Sequence, residues 1–328
     1  MRRRDFVWPA TLAALTSCVK KPAGGVTTIQ FGVQPSPSSA IVYLALERGY
    51  FRGAGFDVQP QVVAGGSQMA AAIAENRLDA ALQFAAPGLF NAVTRGARVR
   101  AVLGREIVTE ICGDAAAIYA RKKAFPKGTS DIRQWEGKRF ATGGSVNMGE
   151  FFLDTMLARA GLDPKKTPRI YLNHAPAVAA MISGSLDALV NGTNLPIAVG
   201  EHPEIVREAA GARAIAPLQY SYIWFGSRLL AAGIPVGARL LAAYLRASKD
   251  FLAGATPQFL KDYAASSGLD AGALGGCRAT FTADGTIDMK SLKTAVDWGI
   301  ARGFTDAGAS AEALVDTRFL ELARREAV

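Results

Sequence analysis

The feature that most constrains this chain is a strand–helix alternation that runs, breaks and starts again. Thr28 to Val33 is rich in β-branched and aromatic residues and reads as a strand. The turn cluster Gln34-Pro35-Ser36-Pro37-Ser38-Ser39 follows, with Ser38 or Ser39 placed to cap a helix over Ala40 to Gly49. Phe56 to Val63 is a second strand, Gly65-Gly66-Ser67 a turn and Gln68 to Asn76 a helix. Leu78 to Phe84 is a third strand. Ala86-Pro87-Gly88 opens a helix to Arg95, and Arg98 to Leu103 is a fourth strand.

The break falls at Lys122 to Gly128. Beyond it come a turn and strand at Trp135 to Thr142, the loop Gly143-Gly144-Ser145-Val146-Asn147 and a helix over Met148 to Ala160 stopped by Gly161. A strand over Arg169 to Leu172, a helix over Ala175 to Ser183, a strand over Leu186 to Val190 and the loop Asn191-Gly192-Thr193-Asn194 complete the second run. The runs echo one another: Leu78-Asp79-Ala80 and Leu186-Asp187-Ala188 each close a helix and turn and open a strand. Strict alternation argues for an α/β protein with two lobes, each a mainly parallel sheet covered by helices. In such sheets ligands sit beyond the carboxyl ends of the strands, which puts loops 34–39, 65–67 and 84–87 on one rim. A Gly- or Ser-rich turn running into a helix leaves unpaired N–H groups and a partial positive charge facing outward. Each rim serine reads equally as a plain N-cap or as a ligand contact.

The 328 residues allow one or two domains, and 50% hydrophobic content supplies a core. The net charge of +9 is spread along the chain rather than packed into a run, which argues against a nucleic-acid partner. The two histidines, His174 and His202, leave little for a histidine-based metal site or a Ser-His-Asp hydrolase, and no metal-ligand spacing occurs. No catalytic set, metal or cofactor is therefore expected. Cys112 and Cys277 either pair in an oxidising compartment or stay as buried thiols.

The amino terminus carries its own signal. Arg2-Arg3-Arg4 precedes a short apolar stretch, Val7 to Leu15, far below the roughly 20 apolar residues of a spanning helix. A basic start, an apolar core and small residues before a Cys make a secretory signal. Leu15-Thr16-Ser17-Cys18 resembles a lipobox, which implies a signal peptide over 1–17, lipidation at Cys18 and a tether over 18–27. Cleavage removes three arginines and one aspartate and leaves a net charge of +7. Arg3-Arg4-Asp5-Phe6-Val7 also resembles a twin-arginine signal, so export by the Sec or the twin-arginine route stays open.

From Thr28 onward the chain resembles the nitrate/sulfonate/taurine and thiamine-precursor family of periplasmic substrate-binding proteins of ABC transporters. The resemblance rests on an ordered series: Leu44 to Phe51 (LALERGYF), Gly55-Phe56-Asp57-Val58, Gly65-Gly66-Ser67, Leu78-Asp79-Ala80, Gly137 to Phe140 with Gly143-Gly144-Ser145, Ala160 to Pro164, Asp284 to Asp288, and Val315 to Leu320. It implies a type II periplasmic-binding fold with two crossovers: one lobe from 28–118 and 217–328, the other from 119–216. It further implies a monomer in the periplasm or cell envelope, held to the membrane by its lipid. There it would bind a small solute between the lobes and deliver it to an inner-membrane permease and its ATPase, without chemistry of its own.

Rim positions matching the family's site are Gln34, Ser36, Ser38, Ser39, Gly66, Ser67, Phe84, Ala86, Pro87, Gly144, Ser145, Val146, Asn147, Asn191 and Asn194. His174, after the strand at 169–172, faces either the cleft or solvent. Tyr220, Tyr222 and Trp224 stand where the chain returns to the first lobe and divide between stacking on a ligand and packing in the core. Cys112 and Asp114 near the first crossover are weaker candidates. Serine- and asparagine-rich loops suit a small anion, an organic acid or a pyrimidine, and the lack of an arginine on the rim argues against a dianion. The fold also hosts enzymes, a sulfinate desulfinase with a Cys in the first rim loop and a pyrimidine synthase with a cysteine-rich motif. Serines stand at 36, 38 and 39 here, and no cysteine cluster occurs. A solute sensor is the remaining alternative.

Overall fold

The computed structural model describes residues 27–63, 65–110, 114–172, 174–191, 202–208, 210–266 and 278–326. Cys18, Cys112, Asn194 and Cys277 lie outside the described residues, as do the proposed signal and lipobox. Asp114, His174 and Asn191 are described by their backbone alone.

The strands form two five-stranded sheets. The first contains β1 (Thr27–Val33), β2 (Phe56–Val62), β3 (Ala80–Phe84), β4 (Arg100–Val108) and β10 (Leu218–Phe225), in the order β2-β1-β3-β10-β4. The second contains β5 (Ala117–Arg121), β6 (Phe140–Ala141), β7 (Arg169–Ile170), β8 (Ala188–Asn191) and β9 (Ile205–Glu208), in the order β7-β6-β8-β5-β9. The two orders are the same pattern. In each sheet one strand runs against the rest, and it is the strand delivered by a crossover: β10 pairs antiparallel with β3 and β4, and β5 with β8 and β9. The remaining observed pairings, β1 with β2 and β3, and β6 with β7 and β8, are parallel. The expected α/β architecture of two mainly parallel sheets is the observed one.

Helices cover both sheets. Among them are α1 (Ala40–Glu47), α2 (Tyr50–Gly53), α3 (Gly66–Ala74), α4 (Pro87–Thr94), α5 (Met148–Arg159) and α6 (His174–Ser183), of which α3 and α5 reach the cavity. All residues of β3 and β10 are buried, as expected of strands covered on both faces. A single apolar cluster runs through both sheets, joining Leu89 and Trp224 near the first to Phe140 and Phe152 near the second.

The repeated Leu-Asp-Ala motif has one structural role, performed twice. Asp79 accepts the Gln30 amide of β1 at 2.7 Å and is gripped by Arg228, which follows β10. Asp187 accepts the Arg139 amide just before β6 at 3.0 Å and is paired with Arg139 and with Arg121, which ends β5. Asp79 thus ties β3 to β1 and Asp187 ties β8 to β6, each with an arginine from the antiparallel strand or just beyond it.

Several boundaries depart from expectation. The fourth strand runs on to Val108 instead of stopping at Leu103. The strands expected over Trp135–Thr142 and Arg169–Leu172 are two residues each. His174 opens helix α6 rather than standing in a loop, and Asn191 ends β8.

Candidate functional site

A cavity of about 500 Å³ lies between the two sheets. On the first side it is lined by the chain leaving β1 (Gln34, Ser36, Pro37, Ser38), the start of α3 (Gly65 to Gln68) and the end of β3 (Leu82, Gln83, Phe84). Arg105 and Glu106 of β4 and Tyr220 and Ser221 of β10 complete that side. On the second side stand Ala115, Thr142 to Gly149 and Val190. Ligands of parallel sheets collect at such strand ends.

The floor is built by two compensating bulges. Gln219 pairs with Ile107 and Ser221 with Glu106, so Tyr220 is an extra residue on β10. Ser221 pairs with Glu106 and Tyr222 with Gly104, so Arg105 is an extra residue on β4. A bulge breaks the in–out alternation of a strand and re-aims side chains. As a result, consecutive residues on each strand, Arg105 with Glu106 and Tyr220 with Ser221, all line the cavity.

Arg105 is fully buried, and its donors are taken up inside the protein. Its Nε donates to Tyr244 Oη at 2.9 Å, its Nη1 to Ser221 Oγ at 2.8 Å, and its Nη2 to the Ser38 carbonyl. Its charge faces Glu106, 3.3 Å away, and Ser38 Oγ donates to the same carboxylate at 2.7 Å. Burial disfavours the Arg105 charge, but Tyr244 and Glu106 outweigh it and hold the pKa above its ordinary value. Burial, then the Glu106 charge, pushes the Tyr220 hydroxyl well above its usual range, so it stays protonated. The floor is therefore charged but internally neutralised.

The two helix starts that border the cavity differ. At α3, Gly65 is the N-cap and offers no side chain, and the first turn holds no acidic residue. Among the described residues none accepts from the first-turn amides of Gly66, Ser67 and Gln68, which suits them to an acceptor from a guest. A Cβ on Gly66 would sit 3.1 Å from both the Phe84 ring and Gln83 Nε2, so the close approach favours glycine. Gln83 Nε2 donates to the Gly66 carbonyl at 3.0 Å; among the described residues its buried Oε1 has no partner, and neither has the buried Ser36 hydroxyl. At α5 the start is capped from within. Asn147 Oδ1 accepts the Glu150 amide at 2.9 Å, and Glu150 Oε2 reaches past the N-cap to accept the Val146 amide at 2.8 Å, a variant of the capping box shifted by one residue. Asn147 Nδ2 also donates to the Thr142 carbonyl at 2.5 Å. Val146 sits at φ +55°, a left-handed conformation that a β-branched residue rarely adopts.

Of the residues singled out in the sequence, the cavity brings together Gln34, Ser36, Ser38, Gly66, Ser67, Phe84, Gly144, Ser145, Val146, Asn147 and Tyr220. Five others with described side chains do not line it. Ser39 is buried and folds the first loop back on itself, donating to the Gln34 carbonyl at 2.7 Å and accepting the Gln34 amide. Ala86 is the buried N-cap of α4. Tyr222 is fully buried against Trp224 and donates to the Gln219 carbonyl. Trp224 and Pro87 are core residues as well. Sequence reasoning missed Arg105, Glu106, Gln83 and Ser221. The signal was there in Ile107-Val108, where the apolar run resumes after two charged residues.

A profile of the family described as NMT1/THI5-like matches residues 36–202, half of the chain and the stretch that contributes most of the cavity. The chain belongs to this family. No curated protein matches it by sequence. Among solved structures, it is similar to the alkanesulfonate-binding protein SsuA from Xanthomonas axonopodis pv. citri, bound to MOPS. The identity is 18% and the TM-score 0.68, over 90% of this chain and 100% of that one. The periplasmic aliphatic sulphonate binding protein SsuA from Escherichia coli matches at 16% identity and TM-score 0.68, over 88% and 92% of the two chains. The desulfurization enzyme DSZB, in complex with biphenyl-2-sulfinic acid, matches at 14% identity and TM-score 0.62, over 92% and 99%. This member of the NMT1/THI5-like family therefore has the fold of sulfonate-binding proteins, a fold that an enzyme also uses. No helix among the described residues is long and apolar enough to cross a membrane.

Proposed function

We propose that the protein captures a small organic solute in this cavity and passes it to an ABC importer. One observation carries the reading: the cavity lies between two sheets of the same topology and combines an open helix start with a charge-neutral floor. The first turn of α3 suits a singly charged or partially negative head group. Phe84 and Tyr220 supply apolar surface for an organic body. Among the described residues lining the cavity, Arg105 is the one cation, and it is paired with Glu106. A dianion would find no free positive side chain there. Sulfonates, carboxylates and polar heterocycles fit this description.

The proposal extends to the setting. The lobes are 28–118 with 217–328, and 119–216. Cys18 carries a lipid in the cell envelope, and the partners are an inner-membrane permease and its ATPase. Replacing Cys18 by Ala is expected to move the protein from the membrane to the soluble fraction; retention in the membrane would refute the anchor.

The solute test is a thermal-shift and calorimetric screen of nitrate, ethanesulfonate, taurine, MOPS, an aminopyrimidine and sulfate. A solute at 100 times its Kd stabilises the folded state by about 2.7 kcal/mol, which such a screen detects. A singly charged or neutral organic solute should give the largest shift. A screen led by sulfate would overturn the charge argument, and one with no shift at all would overturn the capture reading. The similarity to DSZB keeps a second reading in view, an enzyme acting on sulfinates. The described lining contains no histidine or cysteine to serve as base or nucleophile. Sulfite release from biphenyl-2-sulfinate would favour it nonetheless.

A further inference from the structure

The second wall of the cavity is held by a residue that does not line it. Arg302 follows the C-terminal helix Met289–Ala301 and lies more than 150 residues beyond the loop Thr142–Asn147. Its Nη2 donates to Glu150 Oε1 at 2.8 Å, and its Nε lies 3.3 Å from Asp154 Oδ2. Glu150 and Asp154 stand one turn apart on α5, and their side chains are 0% and 2% exposed. Asp154 is also held by Arg169 and by Trp298 Nε1, the latter at 2.9 Å. Carboxylates buried this completely keep their charge and orientation only when paired and hydrogen-bonded. The other oxygen of Glu150 accepts the Val146 amide, and Val146 lines the cavity in its left-handed conformation.

The carrier of Arg302 is fixed to the first sheet. Ser291 Oγ accepts the Gln219 amide at 2.9 Å. Asn91 of α4 donates to the Phe304 carbonyl at 2.9 Å and accepts the Asp306 amide at 2.8 Å, just beyond Arg302. A continuous path thus runs from the scaffold of the first sheet through Arg302 and Glu150 to the Val146 amide in the second wall.

We infer that Arg302 is a positioning residue for the cavity loop Thr142–Asn147, acting through Glu150 and tying the two sides of the cavity together. The inference rests on the reading of this cavity as the solute site. Neither arginine donor reaches the loop itself, so its effect is indirect: it holds the Glu150 carboxylate in place, and Glu150 holds the Val146 amide.

The test is amide hydrogen exchange, resolved by fragmentation, on the ligand-free full chain, comparing wild type with Arg302→Met and Arg302→Lys. The reference amides are those of β1 and of the helix Ile234–Leu252, remote from the path. Arg302→Met is expected to speed exchange at Val146 and its loop by about tenfold or more while the reference amides hold their rates. Arg302→Lys, which keeps a cation within reach of Glu150, is expected to recover part of the protection. Unchanged exchange at Val146 in Arg302→Met overturns the inference. So does a rise shared equally by the reference amides, the mark of a merely structural residue. Both outcomes are measured without any solute, so a failed solute screen, which would sink the capture reading, is distinguishable from a failure here.

Discussion

The two walls of the cavity start from the same plan and use charge in opposite ways. On the first, the charged residues Arg105 and Glu106 face the cavity, yet they satisfy one another, and among the described residues no side chain caps the start of α3. On the second, part of the helix start is spent internally: Asn147 accepts the Glu150 amide of the first turn of α5, and Glu150 accepts the Val146 amide just before it. One wall offers hydrogen bonds to a guest, and the other spends them on its own shape. Identical sheet topology therefore does not imply two equivalent binding surfaces, and a rule that treats every glycine-rich helix start as an anion site would have counted both.

The contrast can be broken most severely at the floor. Glu106→Ala leaves Arg105 buried without its counter-charge, and the expected loss is about 3–5 kcal/mol of folding stability, read by chemical denaturation. A loss near zero would mean that the pair is not the keystone of the first wall. The second wall should answer more mildly. Asn147→Ala removes the capping bond to the Glu150 amide and the bond to the Thr142 carbonyl and is expected to cost about 1–2 kcal/mol, with faster exchange at the start of α5; a loss as large as that of Glu106→Ala would erase the distinction between the walls.

The strand clamps offer a pH-resolved version of the comparison. Burial pushes the Asp187 carboxyl upward, but hydrogen bonds from Arg139 and Arg121 and the Arg139 charge outweigh it and hold the pKa at about 2. The unfolded value is about 3.9, so the contribution of Asp187 is fully present above that pH and is lost as the pH falls towards 2. Asp187→Asn should therefore lower stability at neutral pH and flatten its decline between about pH 4 and 2. An unchanged acid limb in denaturation curves would show that the clamp does not stabilise through its charge. The smallest effect is expected at Val146→Gly. It relieves the left-handed strain but frees the unfolded chain, so stability should change by no more than about 1 kcal/mol in either direction. A large loss by calorimetry would show that the isopropyl group packs against something essential.

The alternation, the doubled sheets and most rim loops were legible in the sequence because strand and helix periods are local. The floor was not. Gly104-Arg105-Glu106 looks like a strand ending, since glycine and charge interrupt an apolar run. Each has a tertiary cause. A Cβ on Gly104 would meet the Thr286 carbonyl at 2.3 Å, so glycine is required by a neighbour far along the chain. Arg105 and Glu106 are tolerated inside because they face each other across a bulge that no local pattern encodes. Tyr222 shows the converse error. Its alternation with Tyr220 suggests a shared face, but Tyr220 is the extra residue of its bulge and lines the cavity, while Tyr222 lies in the core.

The paired bulges in β4 and β10 also bear on how such a protein changes its guest. Because one extra residue on each strand offsets the other, Leu218 still faces Val108 on one side and Ile223 faces Leu103 on the other. Between those two pairs the bulges re-aim Arg105, Glu106, Tyr220 and Ser221 into the cavity, and the register shifts once more only beyond Ile223. A change of guest is therefore expected to enter by substitution at Tyr220, which lines the cavity as the extra residue of its bulge, whereas Arg105 and Glu106 are held in place by the pair they form.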